Sequence, residues 1–200
     1  MTASRRLGSG PRRRLAAALF IVAGLVAHSA HPATAAPKNT IPGSGTYLVG
    51  KDFQAGVYRS TGNSSCYWQR ATNASGSTSS IITNDIGAGQ RLVYVRPTDK
   101  VFKTSGCRTW SRVTAAVINS KSTRTNIPGD GVYFVGSDLR PGTYRSTGNK
   151  DFCYWERARS ADGASSSIID NEISQGQLVV TITPGGIFQT SGCNPWTRTS

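Results

Sequence analysis

From residue 41 onward the chain alternates short β-branched and aromatic runs with clusters of Gly, Pro, Asn and Ser, and nowhere keeps apolar residues at helical spacing. That pattern predicts strands joined by tight turns. In the first half the expected strands are Tyr47–Val49, Val57–Ser60, Cys66–Ala71, Ser80–Asn84, Arg91–Arg96, Val101–Thr104 and Thr109–Val113. In the second half "GQLVVTITP" alternates Leu178, Val180 and Ile182 on one face with Val179, Thr181 and Thr183 on the other. Before the second strand stands Asp138-Leu139-Arg140-Pro141-Gly142, a proline followed by a glycine, as a type II turn prefers. Its counterpart Asp52-Phe53-Gln54-Ala55-Gly56 keeps the glycine without the proline.

These counterparts exist because the chain repeats itself. "IPGSGTYLVGKDFQAGVYRSTGNSSCYWQRA" from Ile41 returns as "IPGDGVYFVGSDLRPGTYRSTGNKDFCYWERA" from Ile127, and "VFKTSGCRTWSR" from Val101 returns as "IFQTSGCNPWTR" from Ile187. One residue is inserted before Cys153 and one is lost before Ile187. Two units so alike must share one fold, over residues 41–113 and 127–199. Residues 114–126, "TAAVINSKSTRTN", are mostly polar and read as a linker, with Ala115–Ile118 able to extend the last strand of the first unit.

The amino-terminal residues change the picture of the whole. Arg5, Arg6, Arg12, Arg13 and Arg14 precede the apolar run Leu15–Ala27 and then Ala33-Thr34-Ala35. Charge, then apolar run, then small residues is the order of a signal peptide, and the run is shorter than the roughly 20 residues a membrane span requires. Residues 1–35 are therefore expected to be removed on export, leaving no membrane span. No cysteine stands near the cleavage site to accept a lipid, and Arg5-Arg6 lacks the apolar pair of a twin-arginine signal. Both histidines, His28 and His31, leave with the leader. What remains carries 18 of the 23 basic residues against all 10 acidic ones, a net charge of +8. Residues 41–113 hold nine basic and three acidic side chains, whereas residues 127–200 hold six and seven. A basic first unit directs attention to anionic surfaces.

Each unit, at about 72 residues, is small enough for burial alone to leave it marginal. Cys66 and Cys107 in the first match Cys153 and Cys193 in the second. Four cysteines allow three pairings, and the repeat selects the one in which each unit closes its own bond, in the oxidising compartment an exported chain meets. Closing a loop of about 40 residues contributes roughly 4 kcal/mol by loss of unfolded-chain entropy.

Catalytic chemistry is sparsely represented. Without histidine, and with its thiols paired, the exported chain cannot build a Ser-His-Asp or Cys-His centre. No C-x-x-C spacing suggests zinc, and no Gly-rich cradle opens a helix, so neither metal nor cofactor is expected. Asp85 with its counterpart Glu172, and Asp52 with Asp138, recur in both units, but the latter pair stands where an Asp side chain caps a turn. What remains is aromatic and cationic: Tyr67, Arg59 and Arg70 in the first unit, Tyr154, Arg145 and Arg157 in the second, a candidate ligand surface for glycans or polyanions. Trp68 and Trp155 lie two residues beyond a cysteine that must face its partner, so alternation assigns them to the core. Nucleic acid is not an expected partner of an exported chain.

At "GSDLRPGTYRSTGN", "CYWERA" and "FQTSGC…W" the sequence resembles a small repeat of exported and cell-envelope proteins of actinobacteria. The resemblance spans both units, implies a secreted β-rich domain and carries no active-site assignment. The expected fold is all-β, two tandem antiparallel sandwich or barrel-like domains with one disulfide each. The expected role is a non-enzymatic binding or structural module, extracellular or wall-associated, meeting an anionic wall polymer, a glycan or another exported protein. The alternatives are a hydrolase or protease inhibitor with a loop-built site, and a domain pair that spaces or stabilises a complex.

Overall fold

The computed structural model describes residues 1–2 and 38–200. The expected leader and its cleavage site therefore fall, beyond the first two residues, outside the described residues. Both repeats lie within one compact unit, Ala36–Ser200.

The first repeat runs β1 (Thr40–Ile41), β2 (Gly45–Leu48), β3 (Gly56–Ala71), β4 (Ile81–Val95), β5 (Val101–Ser105) and β6 (Trp110–Arg112). A short helix α1 (Ala115–Ile118) follows, and the second repeat runs β7 (Asn126–Ile127), β8 (Gly131–Phe134), β9 (Gly142–Ala158), β10 (Ile168–Ile182), β11 (Ile187–Ser191) and β12 (Trp196–Arg198). The Ala-Ala-Val-Ile stretch is thus a single helical turn capped by the Thr114 side chain, and does not extend a strand.

A larger correction concerns strand length. Four of the short strands expected in the first repeat merge into the two long strands β3 and β4, which pair antiparallel from Gly56↔Val95 to Ala71↔Ile81. "STGN" does not break the ladder because Asn63 repairs it: its Nδ2 donates to the Gly89 carbonyl at 2.8 Å while its Oδ1 accepts the Arg108 amide at 2.7 Å. Asn149 does the same for Gly176 and Asn194. Register slips around this asparagine, and the residue inserted before Cys153 is absorbed there, between Asn149↔Gly176 and Cys153↔Ser174.

The slip lets the long hairpin bend over itself. The first half of β3 takes β6 on its free side and the second half takes β5, so Tyr58 and Trp68 meet in one core with Phe53, Val93, Phe102 and Trp110. Tyr144, Trp155, Phe188 and Trp196 repeat this in the second half. Each repeat is all-β and carries its own disulfide, Cys66–Cys107 and Cys153–Cys193. Trp68 and Trp155 pack inward beside them, as strand alternation predicts. The "TSGC" segment does more than supply a half-cystine, since Thr104 Oγ1 accepts the Trp110 indole at 3.0 Å and donates to the Gly43 carbonyl at 3.2 Å. Gly43 itself must be glycine, since a methyl group there would run into the Cys107 carbonyl.

The expected type II turn is also revised. Gly56 and Gly142 have φ of +154° and +148°, a mirror-extended conformation that starts the long strand, and not the value near +80° that a type II turn places after its proline. The tight turn lies earlier, where Asp52 Oδ2 accepts the Leu48 amide at 2.7 Å and Asp138 Oδ2 the Phe134 amide at 3.0 Å.

Candidate functional site

The two repeats do not hang from a linker as independent beads. Gln90 of β4 bridges Gly131 of β8 in a parallel pairing, joining both repeats in one sheet path. Leu92 of the first repeat packs with Val132, Ala158, Ala161 and Ile187 of the second in a small shared apolar cluster. Polar bonds surround it. Arg59 Nη2 reaches both carboxylate oxygens of Asp138 at 2.6 and 2.8 Å, Gln90 donates to the Val132 carbonyl at 2.9 Å, and the Tyr94 amide donates to the Ala161 carbonyl at 2.8 Å.

Asp162 anchors the other end. Arg96 pairs with its carboxylate, which also accepts the Ala164 amide and the Ser167 hydroxyl, while its carbonyl takes Arg70 Nη1 at 2.5 Å. Burial pushes the Asp162 carboxyl up, but these hydrogen bonds and the Arg96 charge outweigh it and hold the group below the ordinary carboxylate value.

Beside this junction lies a cleft of about 170 Å³. The first repeat supplies Asn84 and Asp85 from β4 and the almost wholly buried Trp68 from β3; the second supplies Tyr154 and Glu156 from β9, Gln189 from β11 and the Ala161–Gly163 loop. Tyr154 donates its hydroxyl to Glu156 Oε2 at 2.6 Å. Burial raises the tyrosine, helped by the bond to Glu156, to a pKa of about 12. Burial also raises Glu156, with the nearby Asp85 charge adding to the shift and the Tyr154 bond opposing it. Arg91, fully buried, comes within 3.5 Å of Asp85; burial lowers its own pKa, while Asp85 and Asp130 oppose that shift. Among the described residues no cluster of three or more His, Cys, Asp or Glu has metal-binding geometry.

The residues singled out from sequence are scattered by this arrangement. Of the six residues expected to form a ligand surface only Tyr154 lines the cleft, where it meets Asp85 and the core residue Trp68. Tyr67 donates to Gln69 at 2.7 Å in the equivalent place on the first repeat. Arg70 is not on a surface: it is 1% exposed and held by Asp99 at 2.6 and 2.9 Å. Arg59 is committed to Asp138. Arg157, the counterpart of Arg70, pairs with Asp170 at 3.3 Å, and Arg145 is exposed. Glu172 is exposed on β10, so the carboxylate sharing the cleft with Asp85 is Glu156. Glu156, Asn84 and Gln189 were not singled out. One signal for Glu156 was present, because "CYWERA" puts an acid where the first repeat has Gln69.

A family model described as "Rv1352-like extracellular domain" matches residues 39–111 and again residues 125–197. The chain is 34% identical over 92 residues to the uncharacterized protein Rv1352 of Mycobacterium tuberculosis and to the uncharacterized protein Mb1387 of Mycobacterium bovis, alignments covering 39% of this chain and 75% of each relative. No solved structure matches. Among the described residues no helix is long and apolar enough to cross a membrane. With both copies of its repeat matched, the chain belongs to the Rv1352-like extracellular domain family.

Proposed function

We propose that this extracellular protein is a non-enzymatic binding module whose cleft, at the meeting of the two repeats, takes one ring of a neutral or amine-bearing glycan. The lining carries this reading: amides from Asn84 and Gln189, carboxylates from Asp85 and Glu156, and the Tyr154 ring. Such a set satisfies sugar hydroxyls and offers an aromatic surface. Its volume falls below the roughly 300–1,000 Å³ of drug-sized ligand pockets, which suits a single ring.

The same residues weigh against an anionic polymer in the cleft, because two carboxylates repel it. The basic excess of the first repeat is also smaller in effect than in number. Arg59, Arg70, Arg91 and Arg96 are each engaged with an acid, leaving Lys51, Lys100, Lys103, Arg108 and Arg112 exposed.

The test is calorimetric titration of the purified protein with neutral oligosaccharides, amino-sugar oligosaccharides and teichoic acid. Binding of a neutral or amino sugar, weakened about tenfold or more (~1.4 kcal/mol) by Asn84→Ala or Gln189→Ala, is expected. Binding to none of these, or to teichoic acid alone, would sink the reading. A second reading rests on Glu156, a carboxyl with raised pKa beside a second carboxylate, the pair that glycoside hydrolysis uses. Release of reducing ends that stops in both Glu156→Gln and Asp85→Asn would favour hydrolysis.

A further inference from the structure

We infer that the protein associates head to tail with further copies of itself, by repeating between chains the junction its two repeats make within one chain. The repeat makes the comparison direct. Arg59 and Leu92 stand opposite each other on β3 and β4, and both face the second repeat: Arg59 binds Asp138 and Leu92 packs against Val132 and Ile187. Their counterparts, Arg145 and Val179, stand opposite each other on β9 and β10 in the same way. Leu92 is 2% exposed and Val179 is 51% exposed. Gln90 bridges to Val132 and Asp138, whereas its counterpart Gln177 is exposed. The second repeat therefore carries a copy of the docking face with nothing on it among the described residues.

The first repeat carries the matching receptor. Val132, Phe134 and Asp138 receive the first repeat, and the equivalent positions are Thr46, Leu48 and Asp52, all exposed. Asp52 accepts the Leu48 amide on one oxygen, as Asp138 accepts Phe134, and among the described residues its other oxygen has no side-chain partner. Among the described residues β2 pairs only with β5, and its other edge corresponds to the edge of β8 that meets β4.

Charge sign and hydrogen-bonding groups thus recur on both faces, and each keeps an apolar residue, Val179 on one and Leu48 on the other, with Thr46 standing where Val132 receives Leu92; a second copy of the chain, and not a lipid or an unrelated partner, is therefore the fitting occupant. Other exposed isoleucines do not serve: Ile82 and Ile86 stay exposed in the repeat that is docked, as Ile169 and Ile173 do in the other. Arg96 and Asp162 have Thr183 and Ser75 as counterparts, so the contact between chains lacks that ion pair and is the weaker of the two. Within one chain the linker also supplies a high effective concentration that separate chains lack. Because the two faces differ, the contact is heterologous and builds rings or open strings.

Sedimentation velocity on the protein recovered from culture medium, at physiological ionic strength and from roughly 1 μM to 1 mM, reads this directly. The mean mass should rise with concentration past that of a dimer. Arg145→Glu removes the docking face and Leu48→Lys the receptor, so each variant alone should remain monomeric, with an unchanged circular dichroism spectrum because both residues lie outside the core. Mixed in equal amounts they should form a one-to-one dimer and nothing larger, since each still has the face the other lacks. A wild-type protein monomeric throughout that range, variants that associate as it does, or a mixture that stays monomeric would each overturn the inference.

Discussion

Asp138 of the second repeat binds Arg59 of the first through both carboxylate oxygens, at 2.6 and 2.8 Å, while the same carboxylate accepts the Phe134 amide of its own turn. Among the described residues the carboxylate of its counterpart Asp52 serves the turn alone. One sequence motif therefore does different amounts of work in the two repeats, and the difference is measurable.

Asp52→Ala should cost about 1 kcal/mol, the worth of one solvent-exposed turn hydrogen bond. Asp138→Ala should cost about 1–2 kcal/mol more, because it also strands Arg59 and removes an acceptor from Gln90. Urea unfolding of the two variants checks this, and equal losses would mean the repeats do not hold each other through this residue.

Arg70 and Asp99 are each 1% exposed, so removing one leaves the other charged and unpaired in the interior. Arg70→Ala is expected to lose about 3–5 kcal/mol, and Arg70→Met combined with Asp99→Asn to recover part of it. Asparagine at 99 can still accept the Arg96 amide that Asp99 accepts at 2.8 Å. Thermal and urea unfolding of both variants measures the difference; a single variant as stable as the wild type would place Arg70 in water.

Glu156 gives a pH dependence with a defined sign. Burial, with Asp85 adding, raises its folded pKa above the ordinary 4.5, so the folded state favours the protonated form. Its contribution to stability is complete below that ordinary value and is lost as pH rises through the raised one. Glu156→Gln removes the charge, and Gln69 already shows that an amide accepts the neighbouring tyrosine hydroxyl at 2.7 Å. The variant should melt above the wild type at neutral pH, with the gap closing as pH falls to about 4. Melting curves across that range test it, and a gap that does not change with pH would contradict the raised pKa.

How much of this was legible in the sequence depends on distance along the chain. The repeat itself, the all-β class, the pairing of Cys66 with Cys107 and Cys153 with Cys193, and the inward-facing Trp68 and Trp155 follow from local alternation and from two copies having to share one fold. The merging of strands at "STGN" was not legible, because a Gly-containing polar run reads as a turn unless it is known that Asn63 reaches Gly89 and Arg108. The burial of Arg70, the loss of Arg59 to Asp138 and the cleft that unites Asp85 with Glu156 depend on residues brought together across the two repeats. Sequence repetition assigns equivalent residues equivalent surroundings; packing one repeat against the next breaks that equivalence. Leu92 is buried where Val179 is bare, and Val132 is covered where Thr46 is open. Pattern along the chain determined what each repeat is, because strand alternation and disulfide closure act within it, whereas only the tertiary structure decided which of two identical-looking faces would be used.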